Sequence, residues 1–295
     1  MPLHWIARSL CRKKFINHLP DELCGRLQYY GYHGKLPDLD NPRTFNEVIL
    51  WYKLFYHDPL MTVAADKYEV RRLVEQRGLS HTLNDLYGVY QDVDQIDLDN
   101  LPDRFVLKAS HGWNMNIICR DKSTLDWTKE SQRMRKWLKI NWYWKGKQWA
   151  YKDIPPRIVC EKFLHNKEHN DLLDYKFYCY NGKPEVLFIC AGRQSKGGVR
   201  YDAFDMDWNR IPVHKGKPAA NLNVARPDDF DEMLEVVRSL CAGFPFIRVD
   251  LYKVEGKIIF GELTFYPDNG KVPFSPPEYN TFFGSFFQKP QRIPG

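Results

Sequence analysis

Near the C-terminal end, Arg248-Val249-Asp250 and Glu262-Leu263-Thr264 bring a guanidinium, two carboxylates and a hydroxyl into two neighbouring apolar segments. Side chains alternate along a strand, so Arg248 shares a face with Asp250, and Glu262 shares one with Thr264. Phe246–Val254 and Lys257–Phe265 read as a hairpin around Glu255-Gly256, which brings Asp250 close to Glu262. Two adjacent carboxylates repel unless a cation lies between them, and hard oxygen donors suit magnesium with phosphate. A solvated hairpin face, with Arg248 paired to a carboxylate, is the plainer alternative. However, Val249, Leu251, Ile258, Ile259, Phe260 and Leu263 imply a buried sheet, where unused charge is costly. The chemical reading is the stronger one.

Four further features are weak when taken singly. In Phe105-Val106-Leu107-Lys108-Ala109-Ser110-His111-Gly112, an apolar strand carries a lysine into a small, glycine-bearing turn. That arrangement can set an ammonium and backbone amides around phosphate oxygens, although the Walker spacing is missing and a strand-end lysine is usually just solvated. Cys160-Glu161-Lys162-Phe163-Leu164 is a strand end whose backbone can meet an adenine edge while Phe163 or Leu164 covers its flat face. Taken by itself, the segment is better read as an ordinary edge strand. Asp174 and Lys176 share one strand face, where a half-exposed ion pair is expected. Lys67, in Asp66-Lys67-Tyr68, is a helix-start lysine without distinction of its own.

The elements that must position these residues change in kind along the chain. The first sixty residues read as helical, and Thr44-Phe45-Asn46-Glu47 has the form of a capping box. A helix is predicted over Asp66–Gln76, stopped at Gly78, and another over Thr128–Tyr143. Short strands are predicted over Arg104–Ala109, Met115–Cys119, Arg157–Leu164, Asp174–Tyr180 and Glu185–Cys190, the last two joined by the turn signal Asn181-Gly182. Pro227–Cys241 is an amphipathic helix, and a short aromatic helix is expected near Phe282–Phe287.

Composition narrows the function classes. At 295 residues, with 43% hydrophobic and 15% aromatic side chains, the chain can hold one large domain or two lobes sharing a cleft. A net charge of +6 suits an anionic ligand such as a nucleotide, but the basic residues are dispersed, which argues against nucleic acid. Seven cysteines with no C-x-x-C pair give neither a zinc cage nor a disulfide framework, so a cytoplasmic, reducing setting is expected. No segment has the length of a membrane span or the pattern of a signal peptide. Leu3–Phe15 mixes apolar and basic residues. A helix packed on its own domain is the expected reading, and peripheral contact with an anionic membrane face is the alternative.

The order of these pieces resembles the ATP-grasp superfamily. From Asn41-Pro42-Arg43-Thr44-Phe45-Asn46-Glu47 to Gly261-Glu262-Leu263-Thr264-Phe265, the chain looks like the TupA-like branch, named for teichuronopeptide synthesis. Asp66–Arg71, Asp174–Phe177, Asn181–Pro184 and Phe244–Asp250 are further likenesses. The resemblance implies an α+β fold, with two α+β lobes of mainly antiparallel sheet gripping ATP behind a helical N-terminal region. The expected divisions are 1–65, 66–160 and 161–295, the metal site lying in the last. It further implies that Lys67 and Lys108 hold phosphates and that Ser110, His111 and Gly112 belong to a mobile phosphate-covering loop running to Asn114. Glu161 would meet the adenine amino group, Lys162, Phe163 and Leu164 would form the hinge, and Asp174, with Lys176 beside it, would contact the nucleotide ribose. Asp250, Glu262 and Thr264 would bind magnesium while Arg248 faces the transferring phosphoryl group. Two departures stand out: Thr264 replaces the family's usual metal-side asparagine, with Asp268 or Asn269 as possible help, and the usual N-terminal substrate domain is reduced to helices.

The activity implied is ATP-dependent carboxylate–amine ligation through an acyl phosphate. By analogy with the branch, an amino acid or amine would be joined to a uronic-acid carboxylate in bacterial surface-polysaccharide or capsule biosynthesis. Arg193 is set beside Arg248 in the reaction, and Arg193, Lys196 and Arg200 are the candidates for the acceptor's anionic group; a solvated lid touching only ATP fits them equally. A glycosyltransferase is the rival enzyme class, but Asp202-Ala203-Phe204-Asp205 follows no Rossmann-like half. A non-catalytic nucleotide-binding module is the other rival.

Overall fold

The computed structural model describes residues 3–11, 16, 18–165, 172–191, 199–216, 219, 221–222 and 224–294. Five helices come first: α1 (Leu3–Leu10), α2 (Asp21–His33), α3 (Phe45–Phe55), α4 (Pro59–Ala65) and α5 (Val70–Gln76). The capping box at Thr44 forms as expected, with the Thr44 hydroxyl accepting from the Glu47 amide and the Glu47 carboxylate reaching back. The helix expected from Asp66 begins only at Val70, because the Asp66 carboxylate caps the Tyr68 amide at 2.8 Å and holds a turn there. Gly78, at φ +74°, ends the segment in the left-handed conformation that favours glycine.

A four-stranded antiparallel sheet follows, built from β1 (Leu86–Tyr90), β2 (Phe105–Ala109), β3 (Asn116–Cys119) and β4 (Ile158–Lys162) in the order β1-β4-β2-β3. Strand β1 was not foreseen in the sequence. Helix α6 (Trp127–Trp137) covers this sheet and ends before the predicted Tyr143. Its small core contains Phe105, Leu107, Ile117, Met134 and Ile158. A boundary between residues 160 and 161 would pass through β4.

The second sheet has six strands, ordered β11-β10-β5-β6-β7-β8. They are β5 (Asp174–Tyr180), β6 (Lys183–Ala191), β7 (Arg200–Phe204), β8 (Arg210–Ile211), β10 (Phe246–Val254) and β11 (Lys257–Thr264), while β9 (His214–Lys215) pairs with β12 (Phe274–Ser275). Asn181 and Gly182, at φ +50° and +76°, close the β5–β6 hairpin as the dipeptide predicts. Helix α7 (Phe230–Cys241) packs one face on this sheet, and α8 (Glu278–Ser285) lies against α3. Phe45 and Tyr52 of α3 meet Phe246 of the sheet at ring-centroid distances of 5.7 and 6.4 Å. The α3 to α5 region therefore shares the core of the C-terminal sheet and forms no separate core.

Candidate active site

The register of β10 on β11 is set by one extra residue. From the turn outward, Val254 pairs with Lys257 and Leu251 with Phe260; beyond that point Asp250 pairs with Glu262 and Arg248 with Thr264. Gly261 is the residue left over. A regular hairpin would set Glu262 opposite Val249 and send its side chain to the other face, so the bulge carries Glu262 and Thr264 onto the face of Asp250 and Arg248. A Cβ at Gly261 would lie 2.9 Å from the Asp250 carbonyl oxygen, too close for any side chain without a shift.

Arg248 is the hub of this face. Its Nε donates to Asp250 Oδ1 at 2.6 Å, and its Nη2 donates to Asp250 Oδ2, Glu262 Oε1 and Thr264 Oγ1 at 2.7, 2.8 and 3.0 Å. Lys176, opposite Asp250 on β5, bonds to that carboxylate and pairs with Asp174 Oδ2 at 2.8 Å. The Asp174–Lys176 pair is thus buried and not half-exposed: β5 is a central strand, and the Asp174 side chain is 0% exposed. Burial pulls the Lys176 ammonium down and Arg248 repels it, yet Asp174 and Asp250 hold its pKa above the ordinary lysine range. Burial pushes the Glu262 carboxyl up, but Arg248, Lys67 and Lys176 outweigh it and bring it to about 2. Glu262 is therefore a carboxylate throughout the physiological range.

Between the two sheets lies a cavity of about 420 Å³ whose lining includes Lys67, Lys108, Glu161, Lys176, Arg248 and Glu262. Lys67 donates to the Gly112 carbonyl at 2.5 Å, and Lys108 pairs with Glu161 at 2.6 Å. Gly112, Trp113 and Asn114 face the cavity, and a Cβ at Gly112 would meet Met115 and Trp142 at 2.4 and 2.9 Å. The side chains of Ser110 and His111 turn inward instead. Ser110 Oγ donates to the Pro155 carbonyl at 3.3 Å, and His111 Nε2 lies 3.0 Å from the Trp137 carbonyl.

The remaining expected residues are placed less directly. Lys162 is exposed and paired with Asp85 at 2.9 Å; its amide donates to the Asp85 carbonyl and its carbonyl accepts from Asn84 Nδ2. Phe163 lies under the Arg120 guanidinium at 5.8 Å, and neither it nor Leu164 or Asp174 lines the cavity. Arg193 and Lys196 lie outside the described residues, and Arg200 is exposed on β7.

Several residues lining this cavity, or a smaller one of about 250 Å³ beside it, were not singled out from the sequence, among them Arg71, Asn84 and Tyr201 of the first and Tyr178 and Lys215 of the second. Arg71 sits within a segment already read as family-like, whereas Lys215 carries no local signal at all. Lys215 pairs with Asp268 at 2.6 Å, and α3 fixes the loop that presents this acid. Asn46 Nδ2 donates to the Gly270 and Val272 carbonyls at 3.0 and 3.1 Å, and Lys53 Nζ donates to Asn269 Oδ1 at 2.8 Å. Asp268 and Asn269 are thereby held at φ +49° and +56°.

Hard carboxylate oxygens suit magnesium, and Glu262, 29% exposed, offers them to the cavity. Asp250 fits only after giving up bonds, since both its oxygens accept from Arg248 and its side chain is 1% exposed. Thr264 Oγ1 already lies between Arg248 and Glu262 Oε1. No cluster of three or more His, Cys, Asp or Glu side chains suited to a metal occurs among the described residues.

A family model described as TupA-like ATPgrasp matches residues 47–288. No curated protein matches the chain. Among solved structures, the chain resembles a phosphoribosylamine–glycine ligase from Thermotoga maritima at 14% identity, covering 70% of this chain and 48% of that one with a TM-score of 0.40. It also resembles a D-alanine–D-alanine ligase from Bacillus anthracis, complexed with ATP, at 12% identity, 69% and 55% coverage and a TM-score of 0.40. The ATP-grasp ligase PsnB, complexed with a precursor variant, Mg and ADP, matches at 9% identity, 79% and 60% coverage and a TM-score of 0.43. The chain spans about half the length of the first two of these proteins.

Proposed function

Because the chain belongs to the TupA-like ATP-grasp family, we propose that it is an ATP-dependent ligase that activates a carboxylate as an acyl phosphate and passes it to an amine. The observation that carries this reading is the shared cavity. Lys67 and Lys108 reach it from the N-terminal half, and Arg248 and Glu262 reach it from the β10–β11 hairpin. Lys67, Arg71, Lys108, Lys176, Lys215 and Arg248 line this cavity and its neighbour, against the carboxylates Glu161, Glu262 and Asp268 among the described residues. An excess of cations in a concave, partly desolvated site favours a polyphosphate.

In this reading the phosphates lie between Lys67 and Lys108, with the Gly112–Asn114 backbone against them and Glu161 toward the base. Bound ATP would draw Lys108 from Glu161, freeing that carboxylate to accept from the adenine amino group. Arg248 stabilises the charge that spreads over the phosphoryl oxygens as the acceptor carboxylate attacks. Asp250, Asp174 and Lys176 hold the Arg248 fork in place from beneath. Magnesium, held at Glu262 with Asp250, would supply further charge neutralisation to the phosphates. Phosphate leaves when the amine nitrogen attacks the acyl carbon, which balances ATP, acid and amine against ADP, phosphate and amide. A sugar carboxylate in a bacterial surface-polysaccharide pathway is the acceptor that the branch suggests.

The test is ADP release with ATP, magnesium and a panel of uronic acids and amines, together with an ATP titration of Lys108→Met. The variant should bind ATP about tenfold or more weakly, as expected on losing a hydrogen bond to a charged group. Unchanged ATP binding in that variant, or ATP turnover independent of any carboxylate, would remove the basis of the proposal.

The α1 helix supports a second expectation, peripheral membrane contact. Leu3, Trp5, Ile6 and Leu10 are 71, 60, 45 and 45% exposed, while Ala7 packs inward. No helix of the described residues is long and apolar enough to cross a membrane. The protein should therefore co-sediment with vesicles containing phosphatidylserine, and Trp5→Ser with Ile6→Ser should abolish that binding. Equal sedimentation of both forms would refute it.

A further inference from the structure

One nitrogen atom stands at the centre of the β10–β11 face. Arg248 Nη2 lies 2.7 Å from Asp250 Oδ2, 2.8 Å from Glu262 Oε1 and 3.0 Å from Thr264 Oγ1. These are one oxygen from each of the three side chains expected to hold magnesium. Resting on the ligase reading above, we infer that Arg248 Nη2 and a divalent cation are alternative occupants of this oxygen cluster. The guanidinium excludes the metal until a polyphosphate draws Nη2 away, so metal and nucleotide bind as a coupled pair.

The exclusion is first a matter of space. Magnesium takes its oxygen ligands at about 2.0–2.1 Å and demands near-octahedral geometry. Three oxygens converging on one nitrogen leave no room for an ion among them while that nitrogen stays. A guanidinium has donors and no acceptor, so it cannot join the metal's shell and must move aside. The rest of the residue need not leave. Nε donates to Asp250 Oδ1, the carboxylate's other oxygen, at 2.6 Å. That bond can act as a pivot while Nη2 turns to a phosphoryl oxygen, exchanging one charge-assisted contact for another. Lys176 also bonds to Asp250 Oδ2, but a carboxylate oxygen has two lone pairs, which leaves one for the ion.

Charge couples the two ligands as well. In this layer Asp174, Asp250 and Glu262 meet Lys176 and Arg248, three carboxylates against two cations. A dication added alone turns one surplus negative charge into one surplus positive charge. It does so against a guanidinium and an ammonium that are 11% and 10% exposed, where water screens little. Lys67 and Lys108 line the same cavity and add to the repulsion. A polyphosphate supplies both the missing negative charge and the acceptor for Nη2. Thr264 serves either occupant, because its neutral hydroxyl oxygen can accept from Nη2 or meet a cation.

Manganese, which suits the same oxygen ligands and is read directly by electron paramagnetic resonance, tests this without turnover. Nucleotide-free wild type should take up Mn2+ only weakly. Arg248→Lys keeps the charge but cannot hold three oxygens at once. It should bind Mn2+ about tenfold or more tightly without nucleotide, as freeing charge-assisted acceptors implies. Adding Glu262→Gln to that variant should remove the gain, which places the ion at this cluster. In the wild type, a non-hydrolysable ATP analogue should bring Mn2+ uptake beyond that of the analogue alone in buffer. Nucleotide-free wild type that binds Mn2+ as tightly as the analogue-loaded protein overturns the inference, as does a folded Arg248→Lys protein with unchanged Mn2+ affinity. The wild-type comparison decides alone should the lysine variant fail to fold. Absence of analogue binding in the wild type would instead overturn the ligase reading beneath it.

Discussion

Arg248→Ala should lower turnover by about two to three orders of magnitude, roughly the loss seen when one preorganised charge-stabilising donor is removed. ATP affinity should fall much less, because the guanidinium acts chiefly on charge that develops in the transition state. The geometry adds a second consequence. Arg248 holds Asp250, Glu262 and Thr264 together, and removing it leaves the fully buried Asp250 with Lys176 as its remaining cation among the described residues. A stability loss of about 3–5 kcal/mol is expected for breaking one side of such a network. Arg248→Lys separates the two effects, since it keeps the charge and loses the fork that bonds three side chains at once. That variant should recover part of the lost stability yet remain slow. Steady-state kinetics, ATP titration and urea denaturation together decide the matter. A lysine variant with normal turnover, or an alanine variant losing affinity and turnover equally, would count against the assigned role.

Lys176→Met should also be strongly destabilising, again by about 3–5 kcal/mol, because it strips the shared cation from two carboxylates that are 0% and 1% exposed. Adding Asp174→Asn to that variant removes one of the two buried charges and should restore a substantial part of the loss. The coupling appears as non-additivity in a double-mutant cycle followed by urea denaturation. Simple additivity of the two changes would show that Asp174 and Lys176 are not an energetic unit. The expected pH response follows from the same group. The Lys176 pKa is raised in the folded protein, so its contribution is fully present below the unfolded lysine value and is lost only as pH climbs past it.

Much of the scaffold was legible locally. The capping box at Thr44, the Asn181-Gly182 and Glu255-Gly256 turns and the amphipathic α7 helix depend on contacts within a few residues, and they form as the residues predict. The lysine-bearing strand β2 and the hairpin carrying Arg248, Asp250 and Glu262 were visible for the same reason. Strands β1 and β7 were not, because edge or short strands with mixed burial carry little periodicity of their own. The burial of Asp174 and Lys176 was also hidden. Alternation assigns them a common face, but only the pairing with β10, which sets Asp250 beside Lys176, shows that they form a buried ion-pair network in the wall of the cavity.

What the sequence alone determined is the inventory: two charged strand segments joined by a tight turn, two strand or helix-start lysines, and an order of motifs like that of one family. What only the tertiary structure decided is which of them meet. Counting outward from Glu255-Gly256 sets Glu262 against Val249, on the wrong side of the sheet, and the extra residue at Gly261 is what returns it to Asp250. Lys215, distant in sequence and without a motif, reaches the same wall because α3 locks the Asp268 loop beside it. Side-chain direction in a sheet depends on pairing register, and register is a property of two strands together, so no single segment could have revealed it.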